Sequence, residues 1–146
     1  MPPDTSILFV GDVVARAGRR TLEALLPPLR EELAPTFVIV NGENAAGGIG
    51  ITPKEAEAFF AAGVDVITLG NHTYRHREIW PYLQECREIV RPANYLPAQP
   101  GRGTCVVERG GESLGVVNLS GNLFMQAGSP APVSYTHLTL PTTPYV

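Results

Sequence analysis

Three short, β-branched runs, each ending in a polar cluster and separated by helical sequence, constrain this chain more than any other feature. Ile7-Leu8-Phe9-Val10 leads into Gly11-Asp12, Phe37-Val38-Ile39-Val40 into Asn41-Gly42-Glu43-Asn44, and Val64-Asp65-Val66-Ile67-Thr68-Leu69 into Gly70-Asn71-His72. Apolar runs of this length alternating with helices read as strands of a parallel sheet in an α/β fold. In such sheets ligands gather outside the carboxyl ends of the strands. Asp12, Glu43, Asn44, Asn71 and His72 are therefore expected to converge on one crevice. Oxygen donors with an imidazole suit a hard or borderline divalent metal, which points to a metal-dependent hydrolase.

The 146 residues fit a single domain. With 44% hydrophobic and 17% charged residues the chain has the composition of a globular protein, which argues against disordered, collagen-like and coiled-coil classes. No stretch approaches a transmembrane span, and Pro2-Pro3-Asp4 is unlike the basic start of a secretion signal, so the expected location is the cytoplasm, with no membrane partner. Cys86 and Cys105 lie far apart and outside any CxxC spacing, so they are expected to be buried thiols. The net charge of −3 and the lack of a Lys/Arg run predict no stable nucleic-acid binding. A small phosphorylated ligand held through metal remains compatible with that charge.

Between the first two strands, Leu22, Leu25, Leu26, Leu29 and Leu33 form a helical apolar stripe interrupted by Pro27 and Pro28, which predicts two short helices or one bent one. Thr52-Pro53-Lys54-Glu55 is a capping box with proline at the first helical position, and Gly63 supplies the stop. The face of this second helix that carries Ala56, Phe59 and Phe60, with Val64 beyond it, should pack on the sheet. A third helix is expected from Glu78 to about Glu85. Thr104 to Glu108 and Ser113 to Asn118 flank Arg109-Gly110-Gly111-Glu112 as a β-hairpin, and Arg91 to Gly103 reads as a connecting loop.

Each strand-end cluster alone has a plainer explanation. Asp12 can form an Asx-turn or cap a helix, the segment from Asn41 to Gly50 can be turn chemistry, and His72 can be a surface residue. Three consecutive strand ends that each present an acid/base or metal-competent group are much harder to obtain as unrelated turns. Competing motifs fail on their own terms. The glycine-rich loop lacks the GK[ST] of a phosphate-binding P-loop, and Thr73 stands where the glutamate of HExxH would fall between His72 and His76. Ser120 lacks a GxSxG elbow, and the first strand does not lead into GxGxxG.

The set Gly11-Asp12-Val13-Val14, Val40 to Gly48, Gly50-Ile51-Thr52, Gly63 to His72 and Arg91-Pro92-Ala93-Asn94-Tyr95 resembles the YmdB family of calcineurin-like metallophosphoesterases. The resemblance runs from about Ile7 to Met125. It implies the N-terminal part of a four-layer α/β sandwich and a bacterial cytoplasmic phosphodiesterase acting on 2′,3′-cyclic or related cyclic nucleotides. It further implies two divalent or mixed-valence metal ions, iron or manganese. Carried over by position, Asp12, Glu43, Asn44 and Asn71 would be metal ligands, with Glu43 bridging, and His72 the proton donor.

The chain departs from the family at Ala15, where glycine is common, and at Tyr74-Arg75, where the family has Trp-Asp. Family members also complete the metal site with three further histidines in the C-terminal part, whereas only His72 and His76 occur before residue 133. Val133-Ser134-Tyr135-Thr136-His137-Leu138-Thr139-Leu140-Pro141-Thr142 resembles the in-frame translation of a transposon-end adapter used in sequencing libraries. The expectation is thus a single-domain portion over residues 1–132 with a non-native tail over 133–146. Such a chain is expected to be truncated and inactive alone. The alternative is a non-catalytic nucleotide- or metal-binding module.

Overall fold

The computed structural model describes residues 5–121; the tail expected over 133–146 lies outside them. The elements run β1 (Ile7–Asp12), α1 (Ala15–Leu33), β2 (Phe37–Asn41), α2 (Pro53–Ala61), β3 (Val66–Thr68), α3 (Ile79–Glu85), β4 (Ile89–Val90), β5 (Thr104–Arg109) and β6 (Glu112–Val117). The first four strands form one parallel sheet in the order β1-β2-β3-β4, and β5 and β6 form a separate antiparallel pair. The β-branched runs form parallel strands because both faces of the central ones are covered: Phe37, Val38, Ile39, Val40, Val66 and Ile67 are all buried.

Side-chain alternation divides the core between the two faces. Val38, Val40, Ile67 and Ile89 pack with Leu22 and Leu26 of α1, Ala56 and Phe59 of α2, and Ile79 and Leu83 of α3. Ile39, Val66 and Val90 point the other way, onto Cys105 and Val116 of the hairpin. The hairpin thus covers the opposite face of the sheet, and its two-residue Gly110-Gly111 turn, with φ of 60° and 85°, has the left-handed backbone of a type I′ connection. Its cover stops short of β1, where Ile7 and Phe9 are 49% and 59% exposed.

Several elements differ from the sequence expectation. α1 begins at Ala15 and runs as one helix through Pro27 and Pro28. The carbonyls that lose a donor there belong to Glu23 and Ala24, both on the exposed side, where water can serve them. Leu22 and Leu26 are buried as the stripe predicted, but Leu25 and Leu33 are more than half exposed. The two-residue strand β4 interrupts what read as the approach to a loop; it is too short to carry a periodic signal, and its pairing with β3 defines it. The capping box forms as expected, with the Thr52 amide donating to Glu55 Oε2 at 3.2 Å. Cys105 is buried, and Cys86 is only partly so. Burial pushes both thiols up, Cys105 to about 11, which keeps them protonated and unreactive.

Asp65 ties the layers together at the amino end of the sheet. Its Oδ2 accepts from the Val38 amide at 2.7 Å and from Arg30 Nη1 of α1 at 3.2 Å. Its Oδ1 lies 3.3 Å from Arg109 Nη2 on the hairpin. Asp65→Ala leaves a strand amide and a partly buried guanidinium without that acceptor. It is expected to lower stability by about 2–3 kcal/mol, read as a shifted urea midpoint at unchanged slope.

Candidate metal centre at the strand ends

The backbone delivers the five predicted residues to one end of the sheet. β1 and β2 pair in register until an irregularity between Val10 and Asp12, after which Asp12 pairs with Asn41. Such an extra residue re-aims the side chain that follows it, here Asp12. Just beyond, the Ala15 amide donates to the Asn44 carbonyl at 2.9 Å, and Ala15 itself has a φ of 52°. Left-handed backbone is the reason glycine suits this position.

The loop after β2 closes on itself. Asn41 Oδ1 accepts from the Glu43 amide at 3.2 Å, and the Gly50 amide reaches back to the Glu43 carbonyl at 2.6 Å. Gly50 has a φ of 80° and no room for a side chain, since a Cβ there would stand 2.8 Å from both Arg75 and His76. The Gly42 amide bonds the Thr68 carbonyl at 3.0 Å, joining this loop to the end of β3. His76 lies against the Ile49 carbonyl at 2.9 Å and so braces the same loop.

Three of the predicted side chains form a continuous chain. Asn44 Nδ2 donates to Asp12 Oδ2 at 2.8 Å, and Asn44 Oδ1 lies 2.6 Å from His72 Nδ1. An amide oxygen only accepts, so Nδ1 is the protonated ring nitrogen in this contact and Nε2 is left for chemistry. The oxygen keeps a second lone pair for another partner.

Glu43 precedes Asn44 in the chain and turns its side chain against Gly70, beyond the end of β3. Its Oε2 is buried and has no hydrogen-bond partner among the described residues. The carboxylate rests against Gly70, where any Cβ would overlap Oε2. Asn71 is exposed, and its side chain makes no hydrogen bond among the described residues, so no described bond ties it to the Asp12–Asn44–His72 chain. No three His, Cys, Asp or Glu residues converge closely enough to hold a metal ion among the described residues. The oxygen-bearing side chains at these strand ends are two carboxylates, Asp12 and Glu43, and two amides, Asn44 and Asn71.

Gly70→Ala gives a clean test of this geometry. The methyl group must displace Glu43, so the variant is expected to lose about 1–3 kcal/mol of stability, measured by thermal unfolding.

Residues beyond these five shape the site. The Tyr95 hydroxyl donates to the Gly70 carbonyl at 3.4 Å. Burial pushes the Tyr95 hydroxyl up, and the Glu43 charge adds to the shift, so it stays a donor. Asn118, at the end of β6, donates to the carbonyls of Leu69 at 2.5 Å and Val90 at 3.0 Å. Asn94 and Ser120 exchange two bonds, Asn94 Nδ2 to the Ser120 carbonyl at 2.7 Å and the Ser120 amide to Asn94 Oδ1 at 2.9 Å. The hairpin therefore buttresses the strand ends from the opposite face. The Asn118-Leu119-Ser120 segment held a signal for this, because polar residues directly after a strand are candidates for pinning backbone, yet a search for a nucleophile passes over it.

No helix among the described residues is long and apolar enough to cross a membrane. The structure superposes on a crystal structure described as a novel phosphatase from Mycoplasma pneumoniae with a TM-score of 0.82 at 30% identity, covering 93% of this chain and 51% of that one. A crystal structure of a hypothetical protein from Thermus thermophilus matches with a TM-score of 0.79 at 42% identity, covering 86% of this chain and 49% of that one. In sequence, a Bacillus subtilis protein named 2′,3′-cyclic-nucleotide 2′-phosphodiesterase is 42% identical over 119 residues, which is 82% of this chain and 45% of the relative. The chain thus spans about half the length of these relatives. Its α/β class with a parallel sheet agrees with the fold expected from the strand-end pattern and shared with the phosphatase. The family model for YmdB-like proteins matches residues 8–142, and the chain belongs to that family.

Proposed function

We propose that this chain carries the oxygen-donor portion of a metal-dependent phosphodiesterase site that hydrolyses 2′,3′-cyclic or related cyclic nucleotides, the substrate class named for its Bacillus subtilis relative. The observation that carries the reading is Glu43 Oε2, a buried carboxylate oxygen without a partner among the described residues, held against Gly70 beside the Asp12–Asn44–His72 chain. Leaving such an atom unpaired is costly, which makes it a natural place for a cation.

The residues fit a divalent metal as a partial shell. Asp12 and Glu43 offer carboxylates, and Asn44 and Asn71 offer amide oxygens that ligate without adding charge. Iron or manganese is the identity proposed for a pair of ions. When bound, the metal supplies the charge that draws in an anionic phosphodiester and activates water toward attack. Glu43 fixes the spacing of the donor set because Gly70 confines it. Asn44 orients the His72 ring by accepting from Nδ1. His72 Nε2 delivers a proton to the departing alkoxide oxygen. Tyr95, in the loop before the hairpin, holds the Gly70 carbonyl, and Asn118, just after the hairpin, holds the adjoining Leu69 carbonyl.

The thin set of charged ligands favours a second reading, a module that binds metal or nucleotide without turnover. Incubating the purified chain with 2′,3′-cyclic AMP and manganese or iron(II) separates the two. Hydrolysis that disappears with chelator supports the phosphodiesterase; metal uptake with no hydrolysis at any metal concentration leaves the binding module.

A further inference from the structure

A cluster of cations stands beside the proposed site and is not used by it. Arg16, Arg19 and Arg20 occupy the first turns of α1, and Lys54 the first turn of α2; with Glu23 and Glu55 they line a cleft of about 280 Å³. Helix beginnings carry partial positive charge and favour acidic residues. The first turn of α1 has none. α1 thus places arginine where its own dipole disfavours it, while Lys54 stands beside Glu55 in the first turn of α2.

Pairing within the chain does not account for the arrangement. Arg19 is engaged, donating to the Ala45 carbonyl and lying 4.0 Å from Glu55. Glu55 is further occupied by the α2 cap. Arg16, Arg20 and Lys54 are exposed, and none of them has an ion pair among the described residues. Four of the eleven Lys and Arg residues line this one cleft, against two glutamates, in a chain whose net charge is −3. That cleft adjoins the site directly, because Ala45 follows Asn44 and the Ala15 amide bonds the Asn44 carbonyl at 2.9 Å.

We propose that Arg16, Arg20 and Lys54 bind the phosphodiester backbone of a short oligoribonucleotide whose terminal cyclic phosphate occupies the Asp12–Glu43–His72 site. The proposal rests on the phosphodiesterase reading and narrows its substrate from free mononucleotides to RNA ends. Flexible basic side chains that track a backbone beside a reading site are how single-stranded nucleic acid is held without sequence preference. The overall acidity of the chain concealed this, since net charge averages over a surface that the fold segregates.

The test compares dye-labelled RNA tetramers ending in a 2′,3′-cyclic phosphate or a 3′-hydroxyl with cyclic mononucleotide, using anisotropy and competition in the presence of manganese. The cyclic-ended tetramer is expected to bind at least about 10-fold more tightly than the mononucleotide at low salt. Its affinity should fall with added salt with a logarithmic slope of about −2, as for three neutralised phosphates on a single strand. Arg16→Gln, Arg20→Gln and Lys54→Gln combined should erase that advantage while leaving mononucleotide affinity and the thermal midpoint unchanged. A tetramer that binds no tighter than the mononucleotide, or equally in the triple variant, overturns the proposal and leaves the phosphodiesterase reading standing. A hydroxyl-ended tetramer that binds as well as the cyclic-ended one, with no competition by cyclic mononucleotide, overturns both.

Discussion

Replacing Glu43 with alanine is expected to weaken manganese or iron binding by at least about 100-fold while making the metal-free protein more stable. The two effects share one cause. Glu43 Oε2 is buried without a partner among the described residues, so the folded chain carries the desolvation of a carboxylate oxygen with nothing to offset it. Removing the carboxylate removes that penalty, and no described hydrogen bond of the side chain is lost. The gain should be about 1 kcal/mol, or about 4 °C in thermal midpoint for a domain of this size. Metal affinity should fall by more than the 10- to 100-fold typical of altering a group that only supports a ligand, because Glu43 is itself a proposed ligand. Isothermal titration with manganese and a thermal melt in chelator check the two halves. A variant that binds metal normally, or melts lower without it, contradicts the assignment.

His72→Ala should separate chemistry from binding. The ring reaches the cluster through Asn44 and has no described contact with either carboxylate, so its loss should leave metal affinity within a few-fold of the parent. Turnover of a cyclic nucleotide should fall by about 10²- to 10⁴-fold, the usual contribution of a positioned acid. Metal content measured beside the rate makes the comparison decisive. Equal metal loss in His72→Ala and Glu43→Ala would contradict the division of labour between donor and ligand. The exposed position of Asn71 adds a contrast, since it enters the same loop as His72 yet contacts none of the other four residues through a described hydrogen bond.

Much of the architecture was legible in the chain because it depends on local chemistry. The β-branched runs, the Thr52-Pro53-Lys54-Glu55 cap and the Gly110-Gly111 turn each encode a backbone state through neighbours within a few residues. The same holds for the loop that presents Glu43 and Asn44, where glycines and the Asn41 side chain set the turn. The continuation of α1 through Pro27 and Pro28 was less legible, because it depends on which side of the helix faces water. β4 escaped notice for a related reason: two residues have no period, and their strand character comes from hydrogen bonds to β3.

What the sequence determined by itself was therefore the order of strands and helices, the chemistry gathered at the strand ends, and the family. Those follow from periodicity, turn residues and motif spacing, all of which are properties of short segments. Only the tertiary structure decided that Asn44 bridges Asp12 and His72, that Gly70 leaves room for the unpaired Glu43 oxygen, that Asp65 joins three layers, and that scattered basic residues line one cleft. Each of these joins residues about 20 or more positions apart in the chain or residues from different elements. Their meeting is set by packing of the helices and hairpin on the two faces of the sheet, and no local preference encodes that distance.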